Sequence, residues 1–209
     1  MKPRIALIPG DPSGIGPELV AKLLAEPELS HDADILVIGD RHVLEMGQHQ
    51  AGIENIFKTV DPLRDEWLSV DSGSFAFHPT QTISINEVKI AEATQCSGAS
   101  ILNTLNLALD FAKDEIVDAV VFAPFNKQAM HFAGLGHDDE LHYMATRLKV
   151  NNYISELNTF DGMWTSRVTS HIALKDVADR INEQSIGEAV RLIHGVIQEL
   201  PHQKSLWQL

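Results

Sequence analysis

Residues 4–26 read RIALIPGDPSGIGPELVAKLLAE, and this stretch decides the fold class. Arg4 to Gly10 is a short apolar run closed by Pro9 and Gly10, the pattern of a strand covered on both faces. Pro17 suits the first position of a helix and Glu18 its first turn. Leu19, Val20, Leu23 and Leu24 then predict an apolar stripe. A buried strand that feeds a helix through a Gly- and Pro-rich loop is the unit from which parallel sheets are built.

The same alternation continues outward. ADILVIGD (33–40) repeats the buried strand, and RHVLEMGQHQ reads as its helix. SFAFHP and TISINEV alternate polar and apolar residues, which predicts half-exposed strands added antiparallel. SGASILNTLNLALDFAKDE is an amphipathic helix with Ser97 or Ser100 as N-cap and Ile101, Leu105, Ala108, Leu109 and Ala112 on one face. DAVVFAPFNK (118–127) predicts another buried strand, DDELHYMATRL a helix, YISEL a short strand and GMWTSRVTSH a strand with one wet face. SIGEAVRLIHGVIQEL closes the series as a long amphipathic helix. The fold class is therefore α/β, a mostly parallel sheet flanked by helices.

Composition narrows the function classes. With 209 residues, 44% of them hydrophobic and 22% charged, the chain can bury a core without staples. No apolar run approaches a membrane span, and the opening MKPRIALIPGDP breaks at Pro9 and Gly10 before a secretory signal could form, so a cytoplasmic location is expected. A single cysteine, Cys96, excludes an internal disulfide and a cysteine-based zinc cluster, and reads as a buried inert thiol. A formal charge of -13 with scattered Lys and Arg argues against a nucleic-acid partner.

Four stretches could carry chemistry. In GDPSGIGPE (10–18), three glycines and two prolines could bring backbone N–H groups to an anion at a helix start, or could simply make a tight turn; neither standard nucleotide-loop spacing is present. Lys127 in APFNKQAM follows the carboxyl end of a strand, where ligands of open α/β sheets collect. Beside Asn126 its ammonium could hold a phosphate or carboxylate and polarise a hydroxyl, or it could be a solvated lysine. GLGHDDELHYMA crowds His137, Asp138, Asp139, Glu140 and His142, a set suited to a transition metal or proton transfer, or to an acidic first helical turn. His171 leaves a strand behind Thr169 and Ser170, as a ligand, a general base or a structural histidine would.

In chain order, GDPSGIGPE, APFNK, the Gly-His-acidic segment and VTSHIALKD resemble the 4-hydroxythreonine-4-phosphate dehydrogenase family. The resemblance implies a two-domain fold like that of isocitrate and isopropylmalate dehydrogenases, and a homodimer with shared active sites. Residues 1–125 would begin the first α/β domain and 126–200 the second, dimer-forming one. It also implies oxidation of a small phosphorylated hydroxy acid by NAD or NADP with a divalent metal (zinc, magnesium or manganese), usually with loss of carbon dioxide, on the route to pyridoxine and pyridoxal phosphate. A metal on the substrate hydroxyl would lower its pKa.

Residue by residue, His171 matches the family's metal-ligand histidine and Lys127 its active-site lysine, here assigned to substrate contact. His137 matches the substrate-binding histidine of a Gly-His-Thr-Glu motif, with Glu140 as acidic partner. Asp138 stands where that motif has threonine, which favours another hydroxy acid, such as a four-carbon sugar acid phosphate. The family's later motifs, Asn-Pro-His-Ala-Gly-Glu and Tyr-His-Asp-Gln-Gly, supply two more metal ligands and are not found in this sequence, so the nucleotide-binding residues stay unassigned.

The tail at 201–209, PHQKSLWQL, lacks the strand that the family has after its long helix. Read one base out of register, its codons can encode Pro-Lys-Ile-Ala-Val-Ala-Ala-Leu; the Trp207 and Gln208 codons force an alanine. The expectation is a family member interrupted by a frameshift near residue 200, with an inactive remnant that keeps a dimer surface or an anion pocket as the alternative.

Overall fold

In the computed structural model, which describes residues 2–64, 66–69, 73–137, 139–170 and 172–199, two strands buried on both faces sit at the centre of a five-stranded parallel sheet. These are β1 (Arg4–Ile8) and β2 (Asp34–Gly39), joined by β3 (Ile56–Thr59), β4 (Ser74–Pro79) and β5 (Ala119–Phe122) in the order β3-β4-β2-β1-β5. Ile5 is in register with Ile35 on one side and with Ala119 on the other.

Side chains alternate across each strand. Leu7, Val37 and Phe77 join Val20, Leu24 and Leu44 in the core under α1 (Gly16–Leu24) and α3 (Arg41–Ala51). A short helix, α2 (Leu29–Asp32), precedes β2. The even-numbered residues Ala6, Ile8, Leu36 and Ile38 are also buried; the long helix α4 (Gln95–Lys113) covers them with Ile101, Leu105 and Ala108. His78 at the end of β4 meets Phe111 of α4 edge to face at 5.4 Å, which fixes the side on which α4 lies.

Several local expectations are corrected. The buried stripe of α1 is Pro17, Val20, Ala21 and Leu24, whereas Leu19 and Leu23 are about 40% exposed. SFAFHP is parallel, because the chain returns to the starting end of the sheet before entering β4. TISINEV is a run of turns: the Thr82 N–H donates to Asp40, and Ser84 N–H and Oγ donate to Glu87, so side chains take the bonds a ladder would need. Thr94, not Ser97 or Ser100, caps α4, in a reciprocal box with Ser97. The strand within 118–127 is an edge, with Val121 42% exposed.

One charged pair ties the ends of β1 and β5. Arg4 donates through Nη2 and its backbone N–H to Asp118 at 2.6 and 2.8 Å, and the guanidinium holds the Asp118 carboxyl below its usual range. A carboxyl depressed in the folded state adds stability above its unfolded pKa and loses it as pH falls through the folded one. Asp118→Asn is therefore expected to lower the urea midpoint at neutral pH and to match the parent protein once both are acidified below the carboxylate range. A constant gap across pH would refute this.

Contacts divide the chain into two units, Met1–Asp139 and Glu140–Leu209. The first contains the sheet, followed by α5 (Lys127–Phe132). The second contains α6 (Glu140–Arg147), a hairpin of β6 (Asn158–Phe160) and β7 (Met163–Thr165), the short α7 (Val177–Arg180) and α8 (Glu183–Glu199). Asp161 and Gly162 turn the hairpin, both at positive φ, as a two-residue turn matched to strand twist requires. YISEL is loop, and of the described residues of GMWTSRVTSH only Met163–Thr165 pair. Asn182, just before α8, and Ser185 in its first turn exchange backbone-to-side-chain bonds of 3.0 Å.

Candidate functional site

Parallel strands all deliver their carboxyl ends to one edge, and the loops leaving that edge form the natural place for a ligand. Here they include 9–15 after β1, Asp40 after β2, 80–94 after β4 and 123–126 after β5.

The loop after β1 folds in on itself. Asp11 is 5% exposed and Ser13 1%. The Asp11 N–H donates to the Pro124 carbonyl at 3.1 Å, the Ser13 N–H to Asp11 Oδ1 at 2.9 Å, and the Gly14 N–H to the Asp11 carbonyl at 3.1 Å. Ser13 Oγ is buried with no hydrogen-bond partner among the described residues. Gly16 must be glycine, since a Cβ there would lie 2.0 Å from the Pro9 carbonyl oxygen.

Asp40 forms a second polar centre that the sequence reading did not single out. It stands at the N-cap of α3 without capping it. Instead its carboxylate, 4% exposed, accepts from the Thr82 N–H at 3.0 Å, the Thr82 hydroxyl and the Thr80 hydroxyl at 3.2 Å. Thr82 Oγ1 is 2.7 Å from Ser100 Oγ, which joins the loop to α4. An aspartate placed directly after a buried strand was the available signal, because that position faces the ligand edge.

Cys96 is exposed, correcting the expectation of a buried thiol. Its Sγ lies 3.4 Å from Glu87 Oε1, and this carboxylate raises the thiol pKa. Glu87 is itself held low, chiefly by the Ser84 hydroxyl. The thiolate is the reactive form. Glu87→Gln is therefore expected to speed alkylation of Cys96 by iodoacetamide at neutral pH; an unchanged rate would show that the carboxylate does not govern the thiol.

Of the expected site residues, Lys127 opens α5 and is exposed, directly behind Asn126. Asn126 Oδ1 accepts the Ala129 N–H at 3.2 Å, so its side chain caps the helix. His137 is half-buried, past the far end of α5 and beyond Gly134 and Gly136, both at positive φ. Along the chain the two segments are joined by α5, six residues or about 9 Å of helix at 1.5 Å per residue, and the turn after it. Glu140 begins α6 in the second unit. Asp138 and His171 lie outside the described residues, as does the tail 201–209. The residues flanking His171, Thr169, Ser170 and Ile172, line a cavity in the second unit with Asp179, Arg180 and Ser185.

Among the described residues no three His, Cys, Asp or Glu side chains converge on a point that could hold a metal. No described helix is long and apolar enough to cross a membrane.

Comparison with known proteins adds a family. Residues 31–205 match the family described as pyridoxal phosphate biosynthetic protein PdxA. A Pseudomonas aeruginosa protein with the provisional name 4-hydroxythreonine-4-phosphate dehydrogenase 2 is 40% identical over 196 residues, covering 94% of this chain and 58% of the relative. A 4-hydroxythreonine-4-phosphate dehydrogenase of Synechocystis is 31% identical over 198 residues, 91% of this chain and 54% of its own length. The chain thus spans little more than half the length of these relatives. The crystal structure of a 4-hydroxythreonine-4-phosphate dehydrogenase from Burkholderia phymatum superposes with a TM-score of 0.81 at 22% identity, over 95% of this chain and 59% of that one. At that identity the likeness is one of fold.

Proposed function

Because the chain belongs to the pyridoxal phosphate biosynthetic protein PdxA family, we propose that it serves the NAD- or NADP-dependent oxidation of a small phosphorylated hydroxy acid, 4-hydroxythreonine 4-phosphate or a four-carbon sugar acid phosphate. The observation that carries this reading is the 40% identity to a relative named for that dehydrogenase. The position of Lys127 supports it, at the start of α5 on the carboxyl edge of the sheet.

The nicotinamide supplies the hydride acceptor. The chain's own residues must bind the anionic substrate and draw charge from its hydroxyl. Lys127 is proposed to contact the substrate through its ammonium, a compact charge suited to phosphate or carboxylate. His137 would contact the same substrate from beyond α5, with Asp138 selecting the acid. His171 is the proposed metal ligand. A divalent metal finds no three-donor group among the described residues, so no step is derived through one. Loss of carbon dioxide after oxidation and a homodimer with shared sites belong to the same proposal.

The test is formation of reduced nicotinamide by the protein given NAD or NADP, magnesium, manganese or zinc, and 4-hydroxythreonine 4-phosphate or D-threonate 4-phosphate. Turnover of either acid supports the reading. A folded protein that turns over neither would favour a non-catalytic remnant. Asp138→Thr is expected to shift preference toward 4-hydroxythreonine 4-phosphate; unaltered relative kcat/KM would remove Asp138 from the argument.

A further inference from the structure

The loop after β1 has the composition of a phosphate cradle, yet three of its backbone donors turn inward. The N–H groups of Asp11, Ser13 and Gly14 are all engaged within the protein. The Ser13 carbonyl accepts from the Ala91 N–H at 2.8 Å, and Ala91 adopts a φ of 62° that an alanine rarely takes. The same loop buries a carboxylate, that of Asp11, at 5% exposure. Bringing a second negative charge there is unfavourable, because low-dielectric surroundings screen the repulsion poorly.

The loop instead grips the turn ahead of Lys127. Gly10 sits at φ +73°, and a Cβ on it would lie 2.4 Å from the Ala123 carbonyl oxygen and 2.5 Å from that of Pro124. The Ala123 N–H donates to the Ile8 carbonyl at 3.0 Å and the Asp11 N–H to the Pro124 carbonyl at 3.1 Å. Residues 8–11 therefore fix 123 and 124 by two hydrogen bonds and a backbone contact that admits only glycine. Asn126 then caps α5, and Lys127 is its first residue.

We propose that the Gly10–Ser13 segment is a positioning clamp for Lys127, with Asp11 as the positioning residue. Its carboxylate holds the loop by accepting the Ser13 N–H, and its own N–H holds Pro124, so the direction in which the Lys127 ammonium leaves the turn is set by the loop after β1. The proposal rests on the reading of Lys127 as the substrate contact. A displacement of about 1 Å at such a group can lower turnover by about 100-fold.

Three measurements test it. Titration with inorganic phosphate should leave the amide NMR signals of Asp11, Ser13 and Gly14 unmoved apart from any change that Lys127→Met abolishes; phosphate-dependent shifts there that persist in Lys127→Met would overturn the clamp in favour of an anion cradle. In Asp11→Ala, limited acetylation read by mass spectrometry should change the labelling of Lys127 several-fold relative to Lys113 at the far end of α4, and Asp11→Asn, which keeps an acceptor, should restore the ratio. An unchanged ratio in folded Asp11→Ala refutes the clamp. Finally, Asp11→Ala should lower kcat/KM by about 10- to 100-fold alone and cause no further loss in a Lys127→Met background; additive losses would mark Asp11 as merely structural. If the labelling shifts while Lys127→Met leaves turnover intact, the clamp stands and the substrate-contact reading falls.

Discussion

Gly98→Ala is expected to destabilise the protein by about 2–3 kcal/mol, against the trend for a helical glycine. Helix propensity alone favours alanine over glycine by about 1 kcal/mol. In α4, however, a Cβ at residue 98 would lie 1.8 Å from the Ala129 carbonyl oxygen and 2.3 Å from its carbon. Both atoms are backbone of α5, so no rotamer change relieves the contact, and the helices must separate by about 1.2 Å to restore a 3.0 Å approach. Ala129 and Met130 are fully buried at that contact. Overpacking of a well-fitted interface costs roughly 1–3 kcal/mol, and more where the neighbour cannot yield. Packing therefore wins. Gly195 in α8 supplies the control: a Cβ there meets nothing within 4 Å, so Gly195→Ala should stabilise by up to about 1 kcal/mol. Urea unfolding of both variants decides it, and midpoints that move in the same direction would refute the packing explanation.

With the proposed phosphorylated hydroxy acid as substrate, Lys127→Met is expected to lower kcat/KM by about 100-fold. Methionine keeps much of the length of the side chain and removes its charge. A hydrogen bond to a charged group contributes about 1.5–3 kcal/mol, which corresponds to roughly 10- to 150-fold. A binding contact raises KM and leaves kcat near its parent value, whereas a contact that strengthens as the hydroxyl loses its proton lowers kcat. Lys127→Arg should recover part of a pure charge effect but not one that depends on a compact ammonium. The exposed position of Lys127 means that folding stability should hardly change, so a large fall in the urea midpoint would redirect the explanation to α5 itself.

The centre of the sheet was legible because burial on both faces leaves a signature in continuous apolar runs: RIALI and DILVIG could hardly be anything else. The rim was harder. SFAFHP alternates, which suits an exposed antiparallel strand as well as a parallel strand near an edge, and only the chain's return path separates them. TISINEV carries the same alternation, but its Thr, Ser and Glu side chains bond locally and dissolve the strand. Leu19 and Leu23 fit a helical stripe as well as Ala21 does; which face meets α3 is decided by the close approach of Gly47 to Pro17, invisible to periodicity. Lys127 is a candidate in the sequence because it follows a strand, while Asp11 and Asp40 draw no notice there, because acidic residues in loops are common and burial alone singles them out. Neither residue type nor spacing records that the glycine-rich loop turns the amides of Asp11, Ser13 and Gly14 toward its own chain.

The pairing of β1 with β5 also sets an order of assembly. Ile5 lies beside Ala119, with most of the first unit threaded between them, whereas β1 and β2 meet across two helices, α1 and the short α2, and their loops. Closing the longer loop carries the larger entropy loss and is rewarded only after the intervening strands are in place. The β5 edge is thus expected to dock last, bringing Pro124 to Asp11 and Lys127 to its turn in the same event. A chain caught before that step would hold a nearly finished sheet with its lysine still adrift, so the site would serve as the final checkpoint of folding.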